Sequence, residues 1–480
     1  MNIKFHSHIK VFLKSLLVFP AIVACNNKQQ KAPNILIVFP DQFRGHAPGF
    51  MGIEPAITPN IDAFANESLV LTSAVSNYPL SSPFRAMLMT GKYPVSNGVT
   101  DNCMYNTSPD IYLRKSDTTW SDVLKDTGYS LGYIGKWHLE TPQKPYITAA
   151  NYNNEWTPPD RRHGFSFWYG YNTLDNHNNP IYWNSEATRE EFTQLHQWSP
   201  EVETDVAIRF LNNEDGKYRD PDKPWVLAVS MNPPHPPYDH VPQKYLDMYD
   251  SIPDEKIFAF PNIPPSDSSW GAYYRKHARN YYAQITGVDD KFGKILKALH
   301  DSGMEKNTIV IFTSDHGDCI GIHNERAKNT YYEESMVIPF IIRWPDHITP
   351  ARDSLLISVP DFYPTLLGLS GLRNKIPKGV MGNDYSEILL TGKGERPTSQ
   401  MYMCRPFNNL GIRGVRTNTH TMVINKLPDG SENTILFDNN NDPFQLNNIA
   451  GKEPETLSYL ISELQKWLIA TNDPWKINSK

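Results

Sequence analysis

Reactive side-chain types gather in a handful of short stretches. Asp41-Gln42 directly follows the apolar run Asn34–Pro40, and Asp315-His316-Gly317-Asp318 closes a second such run that begins at Asn307. Together they offer carboxylates, an amide oxygen and an imidazole. Oxygen-rich donors suit a hard cation such as calcium, whose ligands sit at roughly 2.3–2.6 Å. His316 would also serve a transition metal. Lys92, Lys136 and Lys328 supply ammonium groups, and Lys136 lies beside His138 in Gly135-Lys136-Trp137-His138. Several ammonium groups near a metal would bind an oxyanion as point-charge donors. His235, pinned between prolines in Pro233–Pro237, reads either as a turn histidine or as a proton donor to a leaving oxygen.

A further stretch, YPLSSPFRAMLMTGKYP, runs from Tyr78 to Pro94. Pro83 fits the first turn of a helix, where its missing N–H costs nothing, and Gly91 fits the helix end. Ser81 and Ser82 then stand at the positive end of a helix dipole, which stabilises an oxyanion. One of them is either a cap or a reactive group. The cation ligands, lysines and histidines elsewhere favour a reactive group acting on an anionic ester.

The elements that must position these groups alternate. Asn34–Pro40, the GYSLGYIGKWHLE stretch, PWVLAVSMNPPHPPY and Asn307–Asp315 each read as a buried strand followed by a polar loop. Helical spacing appears between them, for example over Asn280–Ser302. This alternation predicts an α/β domain with a large, mostly parallel sheet, whose ligands gather at the carboxyl ends of the strands. Near residue 390 the character changes to short antiparallel strands and a closing amphipathic helix. The expected division is a signal segment over 1–25, a catalytic α/β domain over 26–390, and a smaller α+β subdomain over 391–480.

Composition narrows the class further. The 480 residues are 39% apolar and 20% charged with net charge −6, and no basic stripe suggests a nucleic-acid partner. Aromatics at 12% and 39 prolines point to long structured loops. Lys4, Lys10 and Lys14 precede a short apolar stretch ending in Ile22-Val23-Ala24-Cys25. That stretch is too short for a membrane span. It resembles a bacterial lipobox, with Cys25 lipidated and the product held at the cell envelope by its lipid alone, in the periplasm or on the outer surface. Cys103, Cys319 and Cys404 are too few and too widely spaced for a disulfide framework.

The chain resembles the formylglycine-dependent sulfatases, of the arylsulfatase-like type with a serine signature. Ser81-Ser82-Pro83-Phe84-Arg85, four residues, then Thr90-Gly91 follow their signature, with Phe84 where Ser or Ala is more usual. PNILIVFPDQFR, TPNIDAFANES, GYIGKWHLE, FTSDHGD and DPFQLNNIA are similar to further landmarks in the same order. The resemblance implies an alkaline-phosphatase-like fold and oxidation of Ser81 to formylglycine by a dedicated serine-type maturase. It implies calcium held by Asp41, Gln42, Asp315, His316 and residue 81. Arg85 would hold the formylglycine region, while Lys92, Lys136, His138, His235 and Lys328 would serve as sulfate-binding and acid/base groups. The implied reaction is attack on sulfur by a hydrated aldehyde and elimination of sulfate, with His235, aided by Lys328, as candidate acid and His138 as candidate base.

The stretch Phe167–Asn184, FWYGYNTLDNHNNPIYWN, mixes aromatics, His and Asn in a pattern suited to sugars, with Arg162 and His177 as candidate contacts to an acidic sugar. The expected substrate is a sulfated polysaccharide, such as an algal glycan or a glycosaminoglycan oligosaccharide. Two other readings remain open: a phosphoester or phosphonate-ester hydrolase of the same superfamily, and a surface glycan-binding protein without catalysis.

Overall fold

In chain order the strands are β1 (Asn34–Val38), β2 (Leu69–Leu71), β3 (Ser130–Lys136), β4 (Phe167–Tyr171), β5 (Ile181–Asn184), β6 (Thr193–Gln194), β7 (Trp225–Ser230), β8 (Thr308–Thr313), β9 (Phe340–Arg343) and β10 (Ala351–Asp353). They form one sheet in the order β10-β2-β9-β8-β1-β7-β3-β4-β5-β6. This computed structural model describes Met1, residues 31–147 and residues 152–478. Cys25 and the rest of the expected signal segment after Met1 lie outside the described residues.

The centre of the sheet, β8-β1-β7-β3-β4, is parallel throughout. Its flanks are mixed: β9 runs antiparallel to both β8 and β2, and β5 and β6 are antiparallel additions beyond β4. The expectation of a mostly parallel sheet therefore describes the five central strands and the edge pair β10–β2, while β9, β5 and β6 are the antiparallel members.

The sequence of β1, NILIV, shows why these strands lie inside. Ile35 and Ile37 enter one apolar core and Leu36 and Val38 the other, as the two-residue period of a strand requires. A strand covered on both faces reads as a continuous apolar run. The first core holds the helices Ser81–Thr90 and Phe362–Leu369, and the second holds Ser199–Asn212 and the long helix Ser269–Asp301.

Four antiparallel strands, β11 (Gln400–Cys404), β12 (Gly411–Arg416), β13 (His420–Lys426) and β14 (Glu432–Asp438), form a second sheet, followed by the helix Pro454–Ala470. Residues from Ala32 onward cluster as one compact unit, so this C-terminal part is integral to it. Asn77 stitches it in, donating to the Met401 carbonyl at 2.8 Å and accepting from the Met403 N–H at 2.9 Å.

Gly135 shows how a strand end is shaped for chemistry. Its φ is +96°, and a Cβ there would lie 2.1 Å from the Ser230 carbonyl oxygen of β7. Only glycine lets β3 approach β7 this closely while turning to present Lys136. Gly135→Ala is expected to cost at least about 2 kcal/mol, read as a lower denaturation midpoint in urea.

Candidate active site

One buried carboxylate gathers most of the candidate residues. Asp41 leaves β1 beside the chain leaving β7, its N–H donating to the Met231 carbonyl at 2.8 Å. Its Oδ2 lies 2.8 Å from Lys136 Nζ and accepts from Arg85 Nη2 at 3.1 Å and Ser81 Oγ at 3.3 Å. Arg85 Nη2 also reaches Asp315 Oδ2 at 3.2 Å, while Nη1 donates to the Lys136 carbonyl and to Ser230 Oγ. Lys328 Nζ donates to Gln42 Oε1 at 2.8 Å and to Ser81 Oγ at 3.4 Å. Loops from β1, β3, β7 and β8 thus converge with the start of one helix.

That helix, Ser81–Thr90, is buried along its whole length and ends at Gly91, whose φ is +63°. Neither serine caps it. Ser82 Oγ instead donates to the His138 carbonyl at 2.6 Å and accepts from the Cys103 N–H at 3.0 Å, tying two loops to the helix end. Ser81 Oγ faces Asp41, Lys328 and, at 3.1 Å, His316 Nε2.

A cation fits beside these groups. Asp41 Oδ1 is fully buried and has no hydrogen-bond partner among the described residues. His316 Nδ1 is bonded to the Gly317 carbonyl at 3.0 Å, so Nδ1 carries the proton and Nε2 keeps its lone pair. That lone pair lies 4.0 Å from Asp41 Oδ1 and 3.6 Å from Asp315 Oδ1. Donor atoms of Asp41, Asp315 and His316 all lie within 4.8 Å of one another. Ligands on one calcium ion can be separated by up to about 5 Å, twice the metal–oxygen distance. Gln42, with φ +71°, aims Oε1 into the same space because Asp318 Oδ2 accepts from its Nε2 at 2.6 Å.

Charge shifts follow from this crowding. Burial alone would push the Asp41 carboxyl up, but Lys136 and Lys328 hold it well below the usual carboxylate range. Burial and the neighbouring Asp41 raise Asp315 to about 7. Two carboxylates this close do not both ionise readily without a cation. Burial and Lys328 push His235 down, with Lys136 adding to the effect, so its ring is neutral in the free protein. His138 is lowered too, by burial and then Lys136, and neither of its ring nitrogens has a hydrogen-bond partner among the described residues.

His235 is oriented by its Nδ1–H, which donates to the Pro236 carbonyl at 2.8 Å and lies 3.3 Å from Asp175 Oδ1. Asp175, exposed at the rim, went unrecognised within the aromatic stretch, where a lone Asp carries no pattern. Asn232 was equally silent: its Oδ1 accepts from Lys136 Nζ at 3.1 Å and its Nδ2 donates to the Leu174 carbonyl.

Three sequence expectations need correction. Lys92 lies beyond the far end of the helix, roughly 15 Å from Ser81 at the helical rise, and pairs with Asp117 at 3.1 Å. Its place in the signature reflects the helix end, not the sulfate site. Arg162 is 2% exposed, with its guanidinium against Trp168 and donating to the Thr157 and Ser185 carbonyls. It holds a loop together and has no face for a sugar. His177 is also buried; its Nε2–H donates to the His235 carbonyl at 2.7 Å, so it steadies the histidine loop from behind.

Lys136→Ala is expected to lower kcat/KM for ester hydrolysis by about a hundredfold or more, whereas Lys92→Ala stays within about threefold. Steady-state kinetics of the two purified variants check this, and equal losses would return Lys92 to the site.

Comparison with known proteins agrees with this geometry. A family model described as Sulfatase matches residues 33–372, and one described as N-sulphoglucosamine sulphohydrolase, C-terminal, matches residues 321–473. The chain is 38% identical to an endo-4-O-sulfatase of Bacteroides thetaiotaomicron, over 93% of this chain and 94% of that protein. It is 33% identical to an ulvan-active sulfatase of Formosa agariphila, over 96% and 88%. The solved structure of yidJ from Bacteroides fragilis superposes with a TM-score of 0.88 at 44% identity, covering 93% of this chain and 97% of that one. The family model over residues 33–372, with relatives of 33% to 44% identity matched over 88% or more of their length, places the chain in the sulfatase family as a sulfuric ester hydrolase.

Proposed function

We propose that this sulfatase removes sulfate from a sulfated carbohydrate, an algal polysaccharide or a glycosaminoglycan oligosaccharide, through a formylglycine made from Ser81. The observation that carries the reading is the placement of Ser81 Oγ, within 3.4 Å of Asp41, His316 and Lys328 at a buried helix start. The substrate class rests on the relatives, one named an endo-4-O-sulfatase and one ulvan-active.

When present, calcium held by Asp41, Gln42, Asp315, His316 and residue 81 supplies Lewis-acid stabilisation of charge, and the formylglycine supplies a hydrated-aldehyde nucleophile. The remaining work falls to this chain's own side chains. Lys136 and Lys328 bind the oxyanion of the ester as point charges. Arg85 bridges Asp41 and Asp315 and so fixes the carboxylates relative to the helix start. His235 exposes Nε2 because Nδ1–H is committed to Pro236. A bound sulfate adds negative charge beside Lys136 and Lys328, which favours the imidazolium and readies Nε2 to protonate the leaving oxygen. His138, kept neutral, accepts a proton beside residue 81.

One cation's worth of ligands, Asp41, Asp315 and His316, is the only such group among the described residues, which favours sulfate over the two-metal phosphoester chemistry of the superfamily. A purely glycan-binding role would leave the buried Lys136, the half-buried Lys328 and the unpartnered Asp41 oxygen without purpose. We further propose that Cys25 carries a lipid anchor at the bacterial cell envelope and that a serine-type maturase acts on the unfolded Ser81 segment. Among the described residues no helix is long and apolar enough to cross a membrane.

Protein coexpressed with a serine-type maturase is expected to show the Ser81 peptide lighter by the mass of two hydrogens. It should also release sulfate from sulfated oligosaccharides far faster than phosphate from aryl phosphates, and Ser81→Ala should abolish the release. Full activity with unmodified Ser81, or dominant phosphatase activity, contradicts the reading.

A further inference from the structure

Three tyrosines meet at the rim beside the catalytic centre. Ring centroids are 6.0 Å apart for Tyr105 and Tyr146, 5.5 Å for Tyr105 and Tyr152, and 5.1 Å for Tyr146 and Tyr152. Packed together in this way, Tyr105 and Tyr152 still remain 46% and 44% exposed. A cluster of aromatic area left to water marks a binding surface more often than an idle one. Nothing in the catalytic mechanism uses it.

Its location is set by two short paths of hydrogen bonds. On one, Ser82 N–H donates to Asn102 Oδ1 at 3.0 Å and Ser82 Oγ accepts from Cys103; Tyr105 follows Cys103 within about 7 Å of chain. On the other, His138 N–H donates to the Asn172 carbonyl, Asn172 Nδ2 donates to the Asn153 carbonyl, and Tyr105 N–H donates to Asn153 Oδ1. The platform is therefore braced on the residue next to Ser81 and on the loop that carries Lys136 and His138. It stands at the carboxyl ends of β3 and β4, the same side of the sheet as the site. A cation completes it: exposed Lys144 places Nζ 6.0 Å from the Tyr146 ring centroid.

We propose that Tyr105, Tyr146, Tyr152 and Lys144 form a subsite for an anionic sugar residue neighbouring the one that loses its sulfate. The inference rests on the glycan reading above and adds that the substrate is a chain extending past the catalytic pocket. Tyrosine faces stack on the C–H face of a pyranose ring while their hydroxyls exchange hydrogen bonds with sugar hydroxyls. The lysine ammonium pairs with a sulfate or a uronate on the same residue. Such a platform gives no benefit to a substrate too short to reach it.

The test uses the matured full chain, Tyr105→Ala/Tyr152→Ala and Lys144→Ala variants, an aryl sulfate, and glycosaminoglycan and ulvan oligosaccharides from disaccharide to octasaccharide. For the wild type, kcat/KM is expected to rise with chain length. The double variant should lose about tenfold on the longer chains, mainly through KM, with aryl sulfate turnover unchanged. Lys144→Ala should lose activity on the longer chains in a salt-dependent way. Loss of the same size on aryl sulfate, or unchanged chain-length dependence, overturns the subsite while leaving the glycan reading intact. Wild-type hydrolysis of aryl sulfate but of no glycan overturns both. Concentration-dependent self-association that the double variant abolishes, with oligosaccharide kinetics unaltered, reassigns the patch to a protein contact and overturns the proposal.

Discussion

Asp41 is buried completely and yet surrounded by cations, and much of the site's geometry follows from that. An isolated carboxylate in such a place would take up a proton rather than stay ionised. Lys136 and Lys328 keep it charged, Arg85 pairs with it at 3.1 Å, and Asp41 in turn compensates charge on all three, with Asp315 sharing Arg85. Removing one member of such a cluster leaves uncompensated charge at a cost of about 3–5 kcal/mol. The cluster is therefore both structural and reactive. It fixes the start of the Ser81–Thr90 helix, and it holds ammonium groups ready for an incoming oxyanion.

The sheet makes that cluster possible. β8, β1, β7 and β3 lie side by side and parallel, so their carboxyl ends release Asp315, Asp41, Asn232 and Lys136 within one small volume. Backbone pairing continues past the strands, with Asp41 N–H on the Met231 carbonyl and Trp137 N–H on the Tyr171 carbonyl. Side chains emerging from such loops are placed by the ladder and not by their own preferences. Around the centre a further layer of buried polar groups, Asn232, His177, Asp318 and Tyr238, fixes the lysine, the His235 loop and Gln42.

Much of this was legible in the chain itself, for local reasons. Four of the five central strands, β1, β3, β7 and β8, were readable because doubly covered strands are continuous apolar runs, and Asp41, Gln42, Asp315 and His316 were readable because they follow such runs directly. Ser81, Arg85 and Gly91 belong to one helix, so their spacing carries their geometry. The failures are equally physical. Lys92 shares the signature with Ser81, but a helix separates its two ends. Arg162 and His177 looked like sugar contacts because residue type says nothing of burial, and both are buried and bonded to backbone carbonyls. Asp175 and Asn232 act only through partners distant in sequence, and the antiparallel pairs of the sheet, β9 with its two neighbours and β5 with β4 and β6, depend on pairings that no local pattern encodes.

The account hangs on Asp41 as the anion that both binds a cation and anchors the lysines. Calorimetric titration of calcium into the metal-free matured protein, beside a folded Asp41→Asn variant, tests this most directly. The expected result is one ion bound per wild-type chain with a rise in unfolding temperature, and neither effect in the variant. Equal binding by the variant, or none by the wild type, would contradict it.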